Sequence, residues 1–312
     1  MNTDQDMNED TPQTTRAGFV ALIGAPNAGK STLLNQLVGT KVAIVTHKVQ
    51  TTRTRIRGIA MEGADQIVFV DTPGIFRPNP KRRLDRAMVD AAWAGAADAD
   101  LVVLVVDAQR GRDEAHDELL AALPERTKKP VLALNKIDAI ERARLLEIAT
   151  DFNRDALFQE TFMISALTGD GVADLRSYLA ASMPPGPWLY PEDQAADLPM
   201  RLLAAEVTRE KLYLRLHEEL PYSCTIETES WQERKDDSVR IDQIVYVARD
   251  SQRSIVLGKG GQAIKGIGQA SRTELEGMLE RRVHLFLTVK VRENWMNERE
   301  RYRNMGLDFP TD

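Results

Sequence analysis

The sequence predicts a doubly wound α/β domain on a mostly parallel sheet, followed by a smaller α+β domain. Three observations carry this. Short β-branched runs alternate with longer helix-period segments over residues 17–183. A proline-rich and acidic stretch then runs from Pro184 to Pro199. Beyond it the rhythm changes to helix, two strands, two helices around a glycine loop, and a strand. At 312 residues the chain also exceeds one comfortable core, since domains typically hold roughly 100 to 200 residues.

Residues 1–16 are polar and acidic and lack the basic-then-apolar order of a signal peptide, so they read as a disordered tail. The first domain takes residues 17–183. Its apolar runs at 19–23, 67–70, 101–106, 131–134 and 162–164 are continuous rather than alternating. Strands of that kind are buried on both faces, as in a parallel sheet covered by helices. A further strand at 55–61 is joined to the 67–70 run by Glu62-Gly63-Ala64-Asp65, a link short enough only for an antiparallel hairpin. Residues 184–199 read as a linker stiffened by proline. The second domain, 200–312, should hold a helix at 200–219, strands at 222–233 and 239–249, helical segments over 254–279, a strand at 284–291 and a C-terminal helix.

Composition excludes several classes. With 43% hydrophobic and 28% charged residues the chain is an ordinary globular protein. A net charge of −6 argues against a surface devoted wholly to nucleic acid, and no DNA partner is expected. Cys224 is the single cysteine, which excludes an intrachain disulfide and a Cys-based metal site and fits a reducing cytoplasm. No apolar run approaches the about 18 residues of a membrane-crossing helix.

Gly24-Ala25-Pro26-Asn27-Ala28-Gly29-Lys30-Ser31 matches G-x-x-x-x-G-K-[ST], after an apolar strand and opening a helix that continues from Thr32 to Val38. Its glycines let backbone N–H groups approach phosphates, and the helix N-terminus adds positive potential. Lys30 should reach the β- and γ-phosphates and Ser31 should ligate Mg²⁺. Asp71-Thr72-Pro73-Gly74 follows the next strand, where Asp71 can hold the Mg²⁺ shell and Gly74 N–H can meet the γ-phosphate. Thr51 and Thr52 lie in a polar segment suited to a switch loop, with Thr52 preferred as the metal ligand.

Base choice falls to Asn135, Lys136 and Asp138 of the N-K-x-D sequence. A carboxylate accepts from N1–H and the exocyclic amine of guanine, whereas adenine would leave Asp138 unpaired. In proteins that this pattern resembles, Ser165-Ala166-Leu167 supplies a backbone N–H to guanine O6, which the resemblance implies here too. The expected ligands are therefore GTP or GDP with Mg²⁺. The set resembles the translation-factor-related branch of small GTPases. Where Ras-like members carry a water-positioning glutamine, this chain has Ile75. Related GTPases with Asn at the position of Asn27 bind K⁺ beside the phosphates, so the resemblance implies K⁺ as a further cofactor. The catalytic set is then Lys30, Asn27, Thr52 and Gly74.

In the second domain, Gly258-Lys259-Gly260-Gly261 is a G-x-x-G loop between helical segments, as a KH domain uses to clamp about four nucleotides. The contacting residues would be Val256, Leu257, Gly258, Lys259, Gly260, Gly261, Ile264 and Lys265. The same glycines imitate a dinucleotide fingerprint, but the chain that follows is too short for further βαβ units. Over 251–303, 11 Lys and Arg stand against 6 acidic residues, so phosphate binding is favoured locally by counterion release.

A GTPase domain followed by a type II KH domain resembles the Era family of bacterial ribosome-associated GTPases. Gln50-Thr51-Thr52-Arg53, Val256-Leu257-Gly258-Lys259-Gly260-Gly261 and Val289-Lys290-Val291 leading to Trp295 agree, and the acidic N-terminal tail departs. The resemblance covers residues 17–309. It implies a GTP-hydrolysing switch that binds the 3′ end of small-subunit (16S) ribosomal RNA and acts on the 30S subunit during its maturation. It also implies a cytoplasmic location, with peripheral attachment to the inner face of the cell membrane. Two other readings compete: a constitutive RNA-binding module with a structural nucleotide, and a P-loop kinase, which Asn135 to Asp138 oppose.

Overall fold

The computed structural model describes residues 15–48, 51–79, 82–127, 130–216, 223–293 and 295–310. Most of the expected tail, Gln50 and the junction expected between helix and strand at 217–222 lie outside these. The first sheet contains β1 (Ala17–Ile23), β2 (Ile56–Glu62), β3 (Asp65–Asp71), β4 (Leu101–Asp107), β5 (Val131–Asn135) and β6 (Glu160–Ile164) in the order β2-β3-β1-β4-β5-β6. Only β2 runs antiparallel, pairing Glu62 with Asp65 around Gly63, whose φ of 59° favours glycine.

Alternate strand residues feed two cores, because successive side chains point to opposite faces. Val20, Leu22, Val103 and Val105 meet α1 (Lys30–Val38) and α5 (Val172–Ala181) on one face. Ala21, Ile23, Leu104 and Val106 meet α3 (Glu114–Arg126) and α4 (Arg142–Asn153) on the other, while α2 (Arg83–Asp98) contributes Ala96. All seven residues of β4 are buried. Each fully buried valine or leucine contributes about 1.5–3 kcal/mol over its exposed state.

Residues 184–199 run along the edge of this sheet. Isolated bridges join Arg16 to Pro185 and Gly58 to Ala196. The fully buried Gln66 donates to Tyr190 O at 2.8 Å and accepts from the N–H groups of Leu189 and Tyr190 at 2.8 and 3.0 Å. Trp188 Nε1 donates to Ala64 O at 2.9 Å. The stretch is thus a strap fastened over β2 and β3, where it covers an edge that would otherwise offer open ladder groups.

The second domain holds α6 (Met200–Arg215), β7 (Cys224–Glu233), β8 (Val239–Val247), α7 (Asp250–Leu257), α8 (Gln262–Leu279) and β9 (Val283–Val291). Its sheet is ordered β7-β8-β9, antiparallel then parallel. Helices and sheet enclose Tyr213, Val245, Val256, Ile267 and Val289. After β9, Trp295 is buried with its Nε1 donating to Ser223 O at 3.2 Å. A short helix α9 (Arg299–Asn304) then sends Tyr302 and Leu307 onto Leu84, Met88 and Ala91 of α2. The chain therefore ends by packing on its first domain.

Candidate functional site

The loop after β1 has a backbone shape that few residues tolerate. Gly24 sits at φ 143°, and a Cβ there would come 2.2 Å from the carbonyl oxygen of Val105; Gly29, at φ 97°, would set one 2.2 Å from Asn135 Nδ2. Asn27 accepts φ 64°, a left-handed setting in which Asn is enriched. Lys30 turns back into the loop, its Nζ donating to Gly24 O at 3.0 Å and Ala25 O at 2.9 Å. Burial pushes its pKa down to about 8, against the opposing pull of Asp71.

Three oxygen ligands converge beside it. Ser31 Oγ lies 2.8 Å from Thr52 Oγ1 and donates to Asp71 Oδ2 at 2.6 Å, and Thr52 Oγ1 reaches the same carboxylate oxygen at 3.4 Å. Asp71 is fully buried, its Oδ1 has no hydrogen-bond partner among the described residues, and burial raises its pKa against hydrogen bonds from Ser31 and Thr52 and the Lys30 charge. Two hydroxyls and an under-satisfied carboxylate form a hard-oxygen set that fits Mg²⁺. Thr51 turns the other way, its Oγ1 2.6 Å from both Thr46 Oγ1 and Lys48 O.

Gly74 lies so close to the phosphate loop that a Cβ would meet Pro26 N at 2.9 Å, and Ile75 N–H donates to Gly24 O at 3.0 Å. The side chain of Ile75 packs on the apolar core. Asn27 Nδ2 donates to His47 O at 3.1 Å, joining the phosphate loop to the switch segment.

At the base end, Ser165 Oγ donates to Asp138 Oδ1 at 2.6 Å. Lys136, at φ 70°, lays its chain toward Asp107 and donates to Oδ2 at 2.6 Å. Asn135 is buried and acts as a tie, its Nδ2 donating to Ala28 O at 2.8 Å and its Oδ1 accepting from Ala166 N at 2.9 Å. Thr72 also stands behind the site, fully buried and bonded to Leu22 O at 2.8 Å. A cavity of about 570 Å³ joins the two ends, from Pro26, Lys30 and Thr52 to Lys136, Asp138 and Leu167. Its walls include Ile44, Val45, Gln109 and Arg110, which motif reading missed. Gln109 and Arg110 follow the carboxyl end of β4, where ligands of open α/β sheets bind, and that rule could have found them.

In the second domain the G-x-x-G loop joins α7 to α8 with Gly258, Gly260 and Gly261 at φ 72°, 59° and 77°. Lys259 and Lys265 are exposed, while Leu257 and Ile264 are half-buried against the core. The expectation for Val256 needs correcting: it is fully buried, and its neighbour Ile255, 56% exposed, faces solvent instead. The helical period turns adjacent residues about 100° apart. Among the described residues, no helix is long and apolar enough to cross a membrane.

A P-loop site of this geometry, with the N-K-x-D segment at its far end and a following G-x-x-G domain, defines a GTPase joined to a KH module. Residues 19–136 match the family of 50S ribosome-binding GTPases and residues 219–296 match the KH domain family. The chain is 65% identical to GTPase Era of Brucella suis biovar 1 over 297 residues, 95% of each chain. It is 63% identical to GTPase Era of Dinoroseobacter shibae over 298 residues, 95% of this chain and 96% of the relative. The chain belongs to the Era family of GTPases. Among solved structures it resembles a variant of Aquifex aeolicus Era bound to GDP·AlF4−, with TM-score 0.88 at 36% identity over 93% of this chain and 99% of that one. It also resembles Era in complex with MgGDPNP and nucleotides 1506–1542 of 16S ribosomal RNA, with TM-score 0.89 at 36% identity over 94% and 99%.

Proposed function

We propose that this GTPase is a switch whose GTP state controls binding of the 3′ end of small-subunit ribosomal RNA, on the 30S subunit, by the KH domain. The observation that carries the reading is the meeting of Ser31, Thr52 and Asp71 at one point, within a segment that also touches the second domain. Val45 N–H donates to Glu210 Oε1 at 2.9 Å, and Lys41 Nζ lies 2.8 Å from Glu210 Oε2. The nucleotide site, through Thr52, and the second domain, through Lys41 and Val45, therefore both draw on the stretch between α1 and β2.

Ser31, Thr52 and Asp71 would hold Mg²⁺, which when bound offsets charge on the β- and γ-phosphate oxygens. Lys30 supplies a cation at those oxygens, and the N–H of Gly74 supplies a donor at the γ-phosphate. Asp138, oriented by Ser165, pairs with the guanine edge. At the RNA, Lys259 contributes charge and the glycines of 258–261 permit close backbone approach. The affinity of the full chain for the 16S 3′ end, measured with GTP analogue, GDP and no nucleotide, tests the switch. Tighter binding with the analogue is expected; equal affinities would leave a passive RNA module.

The amide oxygen of Asn27, whose Nδ2 donates to His47 O at 3.1 Å, is proposed to hold K⁺ beside the phosphates in place of an arginine finger. Turnover in K⁺ should exceed that in Na⁺ at equal ionic strength, and equal rates remove this role.

A further inference from the structure

Thr52 and Arg53 are neighbours in sequence and face different domains. Thr52 reaches Ser31 and Asp71 in the nucleotide site. Arg53, only 2% exposed, passes into the second domain, where its Nη1 donates to Cys224 O at 2.9 Å at the first residue of β7. Its guanidinium lies 5.7 Å from the ring centroid of Tyr213 on α6, and Arg209 approaches the same ring at 5.2 Å. Arg209 is in turn ion-paired with Glu206 one turn earlier on α6.

A buried guanidinium is costly unless its surroundings pair it. The second domain supplies the carbonyl, the ring face and the nearby carboxylate of Glu206. Arg53 therefore keeps these contacts only while α6 and the start of β7 are docked, and undocking returns it to water. Consecutive Cα atoms are about 3.8 Å apart across a trans peptide, so fixing Arg53 restricts where Thr52 can go. Lys48 Nζ adds a second tie on the approach to these residues, donating to Leu216 O after the end of α6.

We infer that Arg53 is a positioning residue for GTP hydrolysis: anchored in the docked second domain, it holds Thr52 in the arrangement that meets the metal and the γ-phosphate. This deepens the proposed function and rests on its assignment of Thr52. Because coupling between sites is reciprocal, a chain that holds GTP more firmly through Thr52 also holds its second domain more firmly through Arg53. Undocking would free Arg53 and slow hydrolysis without altering how GDP is held.

The test uses the full chain with Mg²⁺. Arg53→Met keeps an apolar stem in the interface and removes the guanidinium. It should lower kcat for GTP and the affinity for a GTP analogue about tenfold each, the scale of one charge-assisted hydrogen bond. GDP affinity should stay at the wild-type value, and the Mg²⁺ needed for half-saturation should rise with the analogue and not with GDP. In a double-mutant cycle, Thr52→Ala with Arg53→Met should be no slower than Thr52→Ala alone. Arg53→Lys keeps the charge without the planar fork, and it serves if the methionine variant does not fold, with the same loss of analogue preference expected. Wild-type turnover and analogue affinity in a folded Arg53 variant, equal losses for GDP and analogue, or multiplying losses in the cycle would each overturn the inference. Unchanged turnover in Thr52→Ala alone would instead remove the Thr52 assignment beneath it.

Discussion

Asp138 is held at one oxygen by the Ser165 hydroxyl at 2.6 Å, which aims its carboxylate while leaving the group an acceptor. Asp138→Asn replaces one acceptor oxygen with a donor amide. Its GTP affinity should fall about 5- to 150-fold, since an unmatched polar pair costs roughly 1–3 kcal/mol, and its affinity for xanthosine triphosphate should rise. Competition binding with both nucleotides checks this, and an unchanged preference would refute the base assignment. Individual residues were unevenly legible in the sequence. Gly24, Lys30 and Ser31 stand out in the sequence because phosphate chemistry needs those types at fixed spacing, whereas Thr51 stood there as the alternative to Thr52 until the structure turned Thr52 to Ser31 and Asp71 and Thr51 to Thr46. Asn135 was read as touching the base; the structure adds that its amide also ties Ala28 to Ala166. Such a tie joins loops more than a hundred residues apart in the chain, and no local pattern encodes it. Val256 failed for a different reason. The loop motif fixes where the glycines fall but leaves the rotation of the preceding helix to tertiary packing.

Among the elements, the strands were legible from period and length, and one short link marked β2 and β3 as an antiparallel hairpin, while the order of the other strands came from the structure. The strap over residues 184–199 was not legible. Its prolines and acidic residues predict a linker stiffened by proline, and what fastens it to the sheet lies on β3, in the side chain of Gln66. One fully buried glutamine, bonded to Tyr190 O and to two N–H groups of the strap, replaces the ladder bonds that an irregular segment cannot make. Gln66→Ala leaves those three backbone groups without their partner. The expected loss of stability is about 2–4 kcal/mol, reduced to the extent that water reaches the strap. Chemical denaturation of the full chain measures it. A loss below about 0.5 kcal/mol, the range of ordinary surface substitutions, would mean that Trp188 and the flanking bridges hold the strap unaided.

At the scale of the whole molecule, the two domains meet through an ionic cluster that titration can probe. Glu210 of α6 accepts from Lys41 Nζ at 2.8 Å, from Lys211 Nζ at 2.7 Å and from the N–H of Val45 at 2.9 Å, and Glu274 of α8 pairs with the same two lysines. Burial acts to raise the pKa of Glu210, but the bonds from Lys211, Lys41 and Val45 outweigh it and leave the carboxyl below its ordinary value of 4.5. The unfolded chain thus binds the proton more readily than the folded one. The stabilisation from Glu210 is therefore complete above about pH 4.5 and is lost as pH falls through the lower folded value. Glu210→Gln keeps the shape, removes the charge and leaves Lys41 and Lys211 to Glu274 alone. The variant should melt below the wild type at neutral pH, and the gap should narrow as the solution is acidified past the carboxylate range. A melting-temperature difference that stays constant from pH 7 to pH 3 would show that Glu210 acts through shape rather than charge. The glutamine oxygen can still accept from Val45 N–H, but the ion pair to Lys41 is lost, so the stretch carrying Lys41 should loosen with the interface, the GTP analogue losing affinity while GDP keeps its own.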